Sequence, residues 1–264
     1  MAVRHTASSI GTRPPGSGPT LIGSVQRALR LLEAVGGFLQ GATAKQLARA
    51  ADLPLGTTYH LLRTLTHEGY LRRADGRFYY GASVAGISRA EDRQRARRRL
   101  RAALAELRDE LDAAVYFAVY REGEVELVEV AASERRPAVA EWADFRATAH
   151  AHAIGKCLLG QLTGEQRRDH LARHRPVELT AATTTEASVL LRRFAAPAPG
   201  PVFEHQEYAV GTVCAAVPLA CGATVGTIAI SLPIEQEGRL ARTADTLLTS
   251  INGLAGTFGA SFTI

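Results

Sequence analysis

The sequence predicts an N-terminal α/β winged helix-turn-helix and a C-terminal α+β domain, joined by one long helix. Three observations predict it. The charge is divided: residues 1–100 carry a net +10 and residues 101–264 a net −5, so a basic module precedes a mildly acidic one. Between residues 21 and 87 apolar positions recur at helical spacing in three segments and then give way to a short hairpin. Beyond residue 113, strands, helices and strands follow one another, the order of an α+β domain. The 264 residues suit two domains of ordinary size, and a composition 46% hydrophobic and 22% charged is globular.

Residues 1–20, with Pro14, Pro15, Gly16, Gly18 and Pro19, are expected to form a flexible tail. The DNA-binding domain is expected over 21–87. Ser24 can N-cap a first helix with Val25, Ala28, Leu29 and Leu32 inward, ended by Gly36 and Gly37. Thr43 to Gln46 is a capping box opening a short helix that buries Leu47, Ala48 and Ala51. Leu53-Pro54-Leu55-Gly56 makes a sharp connection. A third helix is predicted from about Thr57 to Glu68, inward at Leu61, Leu62 and Leu65. Strands around Leu71 and Phe78 flank Asp75-Gly76, a favoured hairpin turn.

That order sets the third helix across the second, with its first turns able to enter a major groove. Thr57, Thr58, Tyr59, His60 and Arg63 are expected outward, to read base edges or hold phosphates. Arg72, Arg73 and Arg77 on the hairpin would meet the adjacent backbone or minor groove. The partner expected is double-stranded operator DNA; the alternative is a protein-interaction domain with a solvated basic face.

Residues 88–112 read as one helix, whose stripe of Ala96, Leu100, Ala103, Leu107 and Leu111 suits a partner helix in a homodimer. The competing reading packs that stripe on the chain's own domains. In the second domain, 113–264, a hairpin pairs Val115–Tyr120 with Val125–Val130, and Pro137–Trp142 is a further predicted strand. Helices are expected near 152–162, 163–174 and 186–195, a loop at Pro197–Pro201, strands at 212–219 and 224–231, and a last helix from Arg239 to about Thr257.

Four stretches then resemble the isocitrate-lyase-regulator (IclR) type of bacterial transcription factors. They are Ser24–Glu33, Leu53–Leu65, His150–Lys156, and Glu207 with Gly211 and Ala215–Pro218. The resemblance implies a winged helix on operator DNA, a GAF-like effector-binding domain, and dimers that pair into tetramers. By matching positions it implies an effector pocket at His152, Ala153, Ile154, Glu204, Cys214 and Ser231. Here Glu204 stands before the strand pair, Cys214 on one strand and Ser231 on the next. His152 departs from the family's small residue, Thr148 from its usual Pro, and His60 from a common Arg. A His at 152 is expected to change the size and protonation of the pocket mouth. Glu204 would repel a carboxylate unless protonated, which favours a neutral or basic effector.

No catalytic constellation is evident. Gly81–Ala85 is only loosely a nucleophile elbow, and Gly155-Lys156 lacks the Gly-rich run of a P-loop. No cofactor and no metal is expected. His150, His152 and Cys157 could ligate, as could His170 and His174 at i, i+4, but the last pair lacks the Glu of H-E-x-x-H. Cys157, Cys214 and Cys221 are an odd set without zinc-ribbon spacing, consistent with reduced thiols. No apolar run reaches the roughly 18 residues of a membrane span, and the N-terminus has no signal-peptide core. A cytoplasmic, DNA-binding, effector-responsive regulator is expected. The alternatives are an enzyme with a DNA-binding adaptor, or a regulator with a vestigial pocket controlled by abundance or a protein partner.

Overall fold

The computed structural model describes residues 21–195, 200–221 and 224–259, and of residues 220, 221 and 252–259 it describes the backbone alone. The expected tail 1–20, part of the Pro-rich loop near 197–199 and the Cys221 thiol lie outside the described residues. The chain divides into two compact units between Glu91 and Asp92.

In the first unit three helices, α1 (Gly23–Val35), α2 (Ala44–Ala50) and α3 (Leu55–His67), precede a hairpin of β1 (Leu71–Ala74) and β2 (Arg77–Tyr80). Thr43 caps α2 with both bonds of the predicted box. Asp75 and Gly76 turn the hairpin with φ of 49° and 73°, the left-handed pair that a tight two-residue turn needs. Ala42 adds a bridge to Phe78 beside the hairpin. The core gathers Leu31, Val35, Leu47, Leu62, Leu71 and Phe78.

α1 departs from expectation. It starts at Gly23 with Ile22 at the N-cap and no side-chain cap, so Ser24 is inside the helix. Val25 and Leu29, expected inward, are 51% and 54% exposed, while Leu31 and Val35 are buried. Two faces of α1 carry apolar residues at helical spacing, so periodicity could not choose between them.

Helix α4 (Ala82–Leu111) begins earlier than the predicted residue 88. Its last turns belong to the second unit, with β3 (Ala114–Arg121), β4 (Glu124–Ala131), α5 (Ala153–Gln161), α6 (Gly164–Arg173), α7 (Ala187–Ala195), β5 (Val202–His205), β6 (Thr212–Cys221), β7 (Thr224–Pro233) and α8 (Glu237–Gly259). The strands form one antiparallel sheet in the order β4-β3-β7-β6-β5. Alternate residues point to opposite faces. Val115, Phe117, Val119, Val213, Ala215, Val217, Ile228 and Ile230 build a core with α4 and α8; Tyr116, Ala118, Ala216 and Ala229 build the other with α5, α6 and α7. On that second face the small alanines let α5 come close.

Leu100, Ala103, Leu107 and Leu111 of the α4 stripe are buried in the first of these cores. The stripe therefore covers the chain's own sheet rather than a partner helix: burial on a sheet and burial on a helix demand the same spacing. Residues 137–142 form no strand. Their polar groups are taken elsewhere: Val139 N–H donates to the Tyr116 hydroxyl at 2.8 Å and the Trp142 indole N–H to the Tyr208 carbonyl at 3.1 Å. Conversely, the short edge strand β5 was not predicted, and Glu204 lies on it, opposite Cys214, rather than before the strands. A bulge at Phe117/Ala118 in the β3–β4 pairing shifts the register so that Leu127 and Val130 both reach the α5 side.

Candidate functional site

On α3, Tyr59, His60 and Arg63 are exposed and Thr57 is half-buried. Thr58 is not outward: it is fully buried, and its hydroxyl donates to the Pro54 carbonyl at 3.1 Å. It sits one turn before Leu62 on the core face, which corrects its expected place in the reading surface. Arg63 donates to His60 Nδ1 at 3.4 Å. An open cleft of about 430 Å³ runs between α3 and the hairpin, lined by Tyr59, His60, Arg63 and Arg73.

The hairpin arginines are held in different ways. Arg72 lies over the Tyr79 ring at 4.5 Å and Arg73 over the Phe78 ring at 5.8 Å, which pre-orders both guanidinium groups. Arg77 donates to the Gly41 carbonyl at 3.0 Å, so part of its fork ties the hairpin to the α2 approach. Lys45 and Arg49, one turn apart on α2, are also exposed. Sequence reasoning overlooked them, although their i, i+4 spacing was legible.

In the second unit a cavity of about 300 Å³ opens between the sheet and the start of α5. Its walls include Tyr116, Leu127, Val130, Phe145 and Tyr208, together with His152, Ala153, Ile154, Glu204 and Cys214. Ser231 stands behind this wall, its hydroxyl 2.9 Å from the Tyr116 hydroxyl. Tyr116, Phe145 and Tyr208 were not anticipated; no local motif marks residues brought in from a strand, a coil and a loop.

His152 does not place a variable charge at the cavity. It is the N-cap of α5: Nδ1 accepts the Gly155 N–H at 2.9 Å, so Nε2 carries the proton and donates to the Phe145 carbonyl at 3.0 Å. Burial pushes its pKa down to about 3. The imidazole is neutral with both nitrogens occupied, which corrects the expected protonation effect.

Two carboxylates line the cavity, Glu141 and Glu204, and Glu204 is the buried one. Glu204 is 1% exposed; Oε1 accepts the N–H groups of Glu207 and Tyr208, and buried Oε2 has no hydrogen-bond partner among the described residues. Burial raises its pKa, and burial together with Glu204 pushes the Cys214 thiol up as well. Lys156 forms a largely buried ion pair with Glu207, and its charge also acts on Glu204, favouring the ionised carboxylate.

The IclR helix-turn-helix domain model matches residues 24–75, and the bacterial transcriptional regulator IclR C-terminal model matches residues 89–255. The chain belongs to the IclR family. It is thus a transcriptional regulator with a DNA-binding helix-turn-helix and a ligand-binding C-terminal domain. No curated protein matches the chain. Among solved structures it is similar to the Agobacterium tumefaciens repressor BlcR (25% identity, 90% of this chain and 97% of that one, TM-score 0.52). An IclR homolog from Microbacterium hydrocarbonoxydans, complexed with 4-hydroxybenzoate, shares 22% identity over 90% of this chain and all of that one, with a TM-score of 0.55. The Thermotoga maritima IclR shares 18% over 90% and 99%, with a TM-score of 0.53.

In this IclR regulator the His150, His152 and Cys157 set is not assembled for a metal: His150 Nε2 and His152 Nε2 meet backbone carbonyls, and Cys157 faces Gln161. No helix among the described residues is long and apolar enough to cross a membrane.

Proposed function

We propose that α3 and the β1–β2 hairpin of this regulator bind operator DNA. Tyr59, His60 and Arg63 would face the major groove, and Arg72, Arg73 and Arg77 the backbone or minor groove, with Thr57 at the margin. A neutral, planar molecule with a hydrogen-bonding group would be the effector. The Oε2 of Glu204, without a hydrogen-bond partner among the described residues, carries this reading: burial raises the pKa of the carboxyl, and in its protonated form it would offer an O–H to a ligand oxygen. A volume near 300 Å³ with aromatic walls suits one ring. The Microbacterium relative holds a phenol that bears a carboxylate. Among the described residues no Lys or Arg lines the cavity and two carboxylates, Glu141 and Glu204, do, so the amide counterpart fits better than the anion.

The C-terminal domain is GAF-like in this reading, and α4 joins it to the DNA-binding domain. Since the core of the second unit occupies Leu100, Ala103, Leu107 and Leu111 of α4, a second copy would meet the exposed Leu21, Ile22, Val25 and Leu29 at α1, a two-fold contact that matches a paired operator. Effector binding alters operator affinity to the extent that it favours one geometry of the dimer, or of a tetramer built from it. The setting is cytoplasmic, and the protein is not an enzyme.

Thermal shift of the full chain with 4-hydroxybenzamide and 4-hydroxybenzoate tests the pocket. Stabilisation by the amide, kept in Glu204→Gln and lost in Glu204→Leu, is expected. Preference for the benzoate would overturn the ligand class. A flat response across further organic acids, phenols and amines would point to a vestigial pocket, and turnover to an enzyme. Selection from random duplexes tests the DNA reading, which fails if no sequence is enriched.

A further inference from the structure

We propose that Glu124, His170 and His174 form a binding site for a divalent transition-metal ion of the zinc class. The three residues come from two elements: Glu124 opens β4, and the two histidines lie one turn apart on α6. One ligand atom from each lies within 4.8 Å of the others. None of the three lines the effector cavity, so the site is separate from it. The carboxylate missing from the local His-x3-His pattern is supplied from 46 residues upstream, beyond any motif.

The second observation is His170 itself. It is 1% exposed, and its Nε2 is buried without a hydrogen-bond partner among the described residues. Its Nδ1 lies 3.4 Å from the Gly123 carbonyl and 3.2 Å from the Tyr120 hydroxyl. A carbonyl only accepts, so the bond to it puts the proton on Nδ1 and leaves the lone pair on Nε2. A proton on one nitrogen held by a backbone carbonyl, with the other nitrogen bare, is the arrangement of a metal-ligating imidazole.

His174 Nε2 donates to Glu124 Oε2 at 2.7 Å. An ion would displace the donated proton and draw on both groups. Tetrahedral zinc at about 2.0–2.1 Å from its ligands needs donor atoms about 3.4 Å apart. The half-buried His174 and Glu124 have room to adjust to that spacing around the fixed His170.

The surrounding charge favours a cation. Arg173 pairs with the other oxygen of Glu124 and with Asp169, and also donates to the Gly123 carbonyl. One guanidinium faces two carboxylates, an excess of one negative charge among these three groups. Three protein ligands leave a fourth position for water, and the ion would tie the β3–β4 turn to α6.

The test uses the full chain stripped with chelator. Zinc competition against a chromophoric chelator should show one saturable site per chain, weakened at least tenfold in His174→Gln and in Glu124→Gln. Cobalt should give tetrahedral d–d bands with no thiolate charge-transfer band. At hundredfold excess over Kd, zinc should raise the Tm of the C-terminal transition by roughly 5–10 °C. His174 is partly exposed, so His174→Gln should fold, as circular dichroism would verify. Absence of saturable binding, undiminished binding by folded His174→Gln, or a thiolate band pointing to Cys157 or Cys214 would each overturn the site.

Discussion

The ring of His152 stacks on that of Phe145, with centroids 4.1 Å apart and planes 10° from parallel, and donates to the same residue's carbonyl. Together with the cap on Gly155, this makes His152 a fastener between α5 and the coil before it. His152→Ser should keep the cap and lose the stack, while His152→Ala loses both. We expect His152→Ala to cost about 1 kcal/mol more than His152→Ser, from the cap alone, as read from urea midpoints.

The same residue sets a pH dependence. Its folded pKa, about 3, lies below the ordinary 6.5, so the unfolded chain binds the extra proton first as pH falls. The stability held by neutral His152 is fully present above pH 6.5 and declines from there toward pH 3. Between pH 7.5 and 5 the wild type should therefore lose stability more steeply than His152→Ser, by on the order of 1 kcal/mol per pH unit below the unfolded value. Burial also lowers the pKa values of His150 and His170, which slope the same way in both proteins, so the difference between the two curves isolates His152. Parallel curves would show that His152 is charged or exposed.

Thr58 and Arg63 separate folding from recognition. Thr58→Ala removes a buried hydroxyl bonded to Pro54 and should lower stability by about 1 kcal/mol, leaving the operator affinity of the folded protein unchanged. Arg63→Ala should leave stability alone and weaken the selected operator by about 1–3 kcal/mol if it reads a base. Fluorescence anisotropy beside thermal melts would distinguish them, and equal affinity of Arg63→Ala and wild type would remove Arg63 from the interface.

Arg72 and Arg73, poised by ring contacts rather than by acidic partners, should act on all sequences alike. Each change to Ala should reduce the slope of log K against log salt by about one. A defect confined to the operator would reassign that side chain to base reading.

Gly155 tests the packing of α5. A Cβ there would lie 2.1 Å from the Ala149 carbonyl oxygen and 2.5 Å from its Cα, both backbone atoms. Gly155→Ala should destabilise the C-terminal unit by about 3 kcal/mol or more, since backbone cannot yield as a side chain does. A melting temperature within a degree of wild type would contradict this geometry.

Much of this molecule was legible locally. The capping boxes at Thr43 and Thr163, the Asp75-Gly76 turn and the alternation along β3 and β7 announce themselves within a few residues. β5 was missed because four residues behind a Pro-rich run carry too little pattern to read. At the cavity, the stretch beginning at His150 pointed to the start of α5, but not to the rings of Tyr116 and Tyr208 across from it.

By itself the sequence determined most of the order of helices and strands, though not β5 or the coil at 137–142, together with the basic first third and the family, because caps, turns and periodicity act over one or two turns of chain. Only the tertiary structure decided what covers each face. Thr58 turned inward, Val25 stayed out, the α4 leucines covered a sheet, and Glu124 came to lie beside His170 and His174. The spacing that buries a side chain is the same whatever buries it, and contacts between distant residues are chosen by the packing of the whole fold.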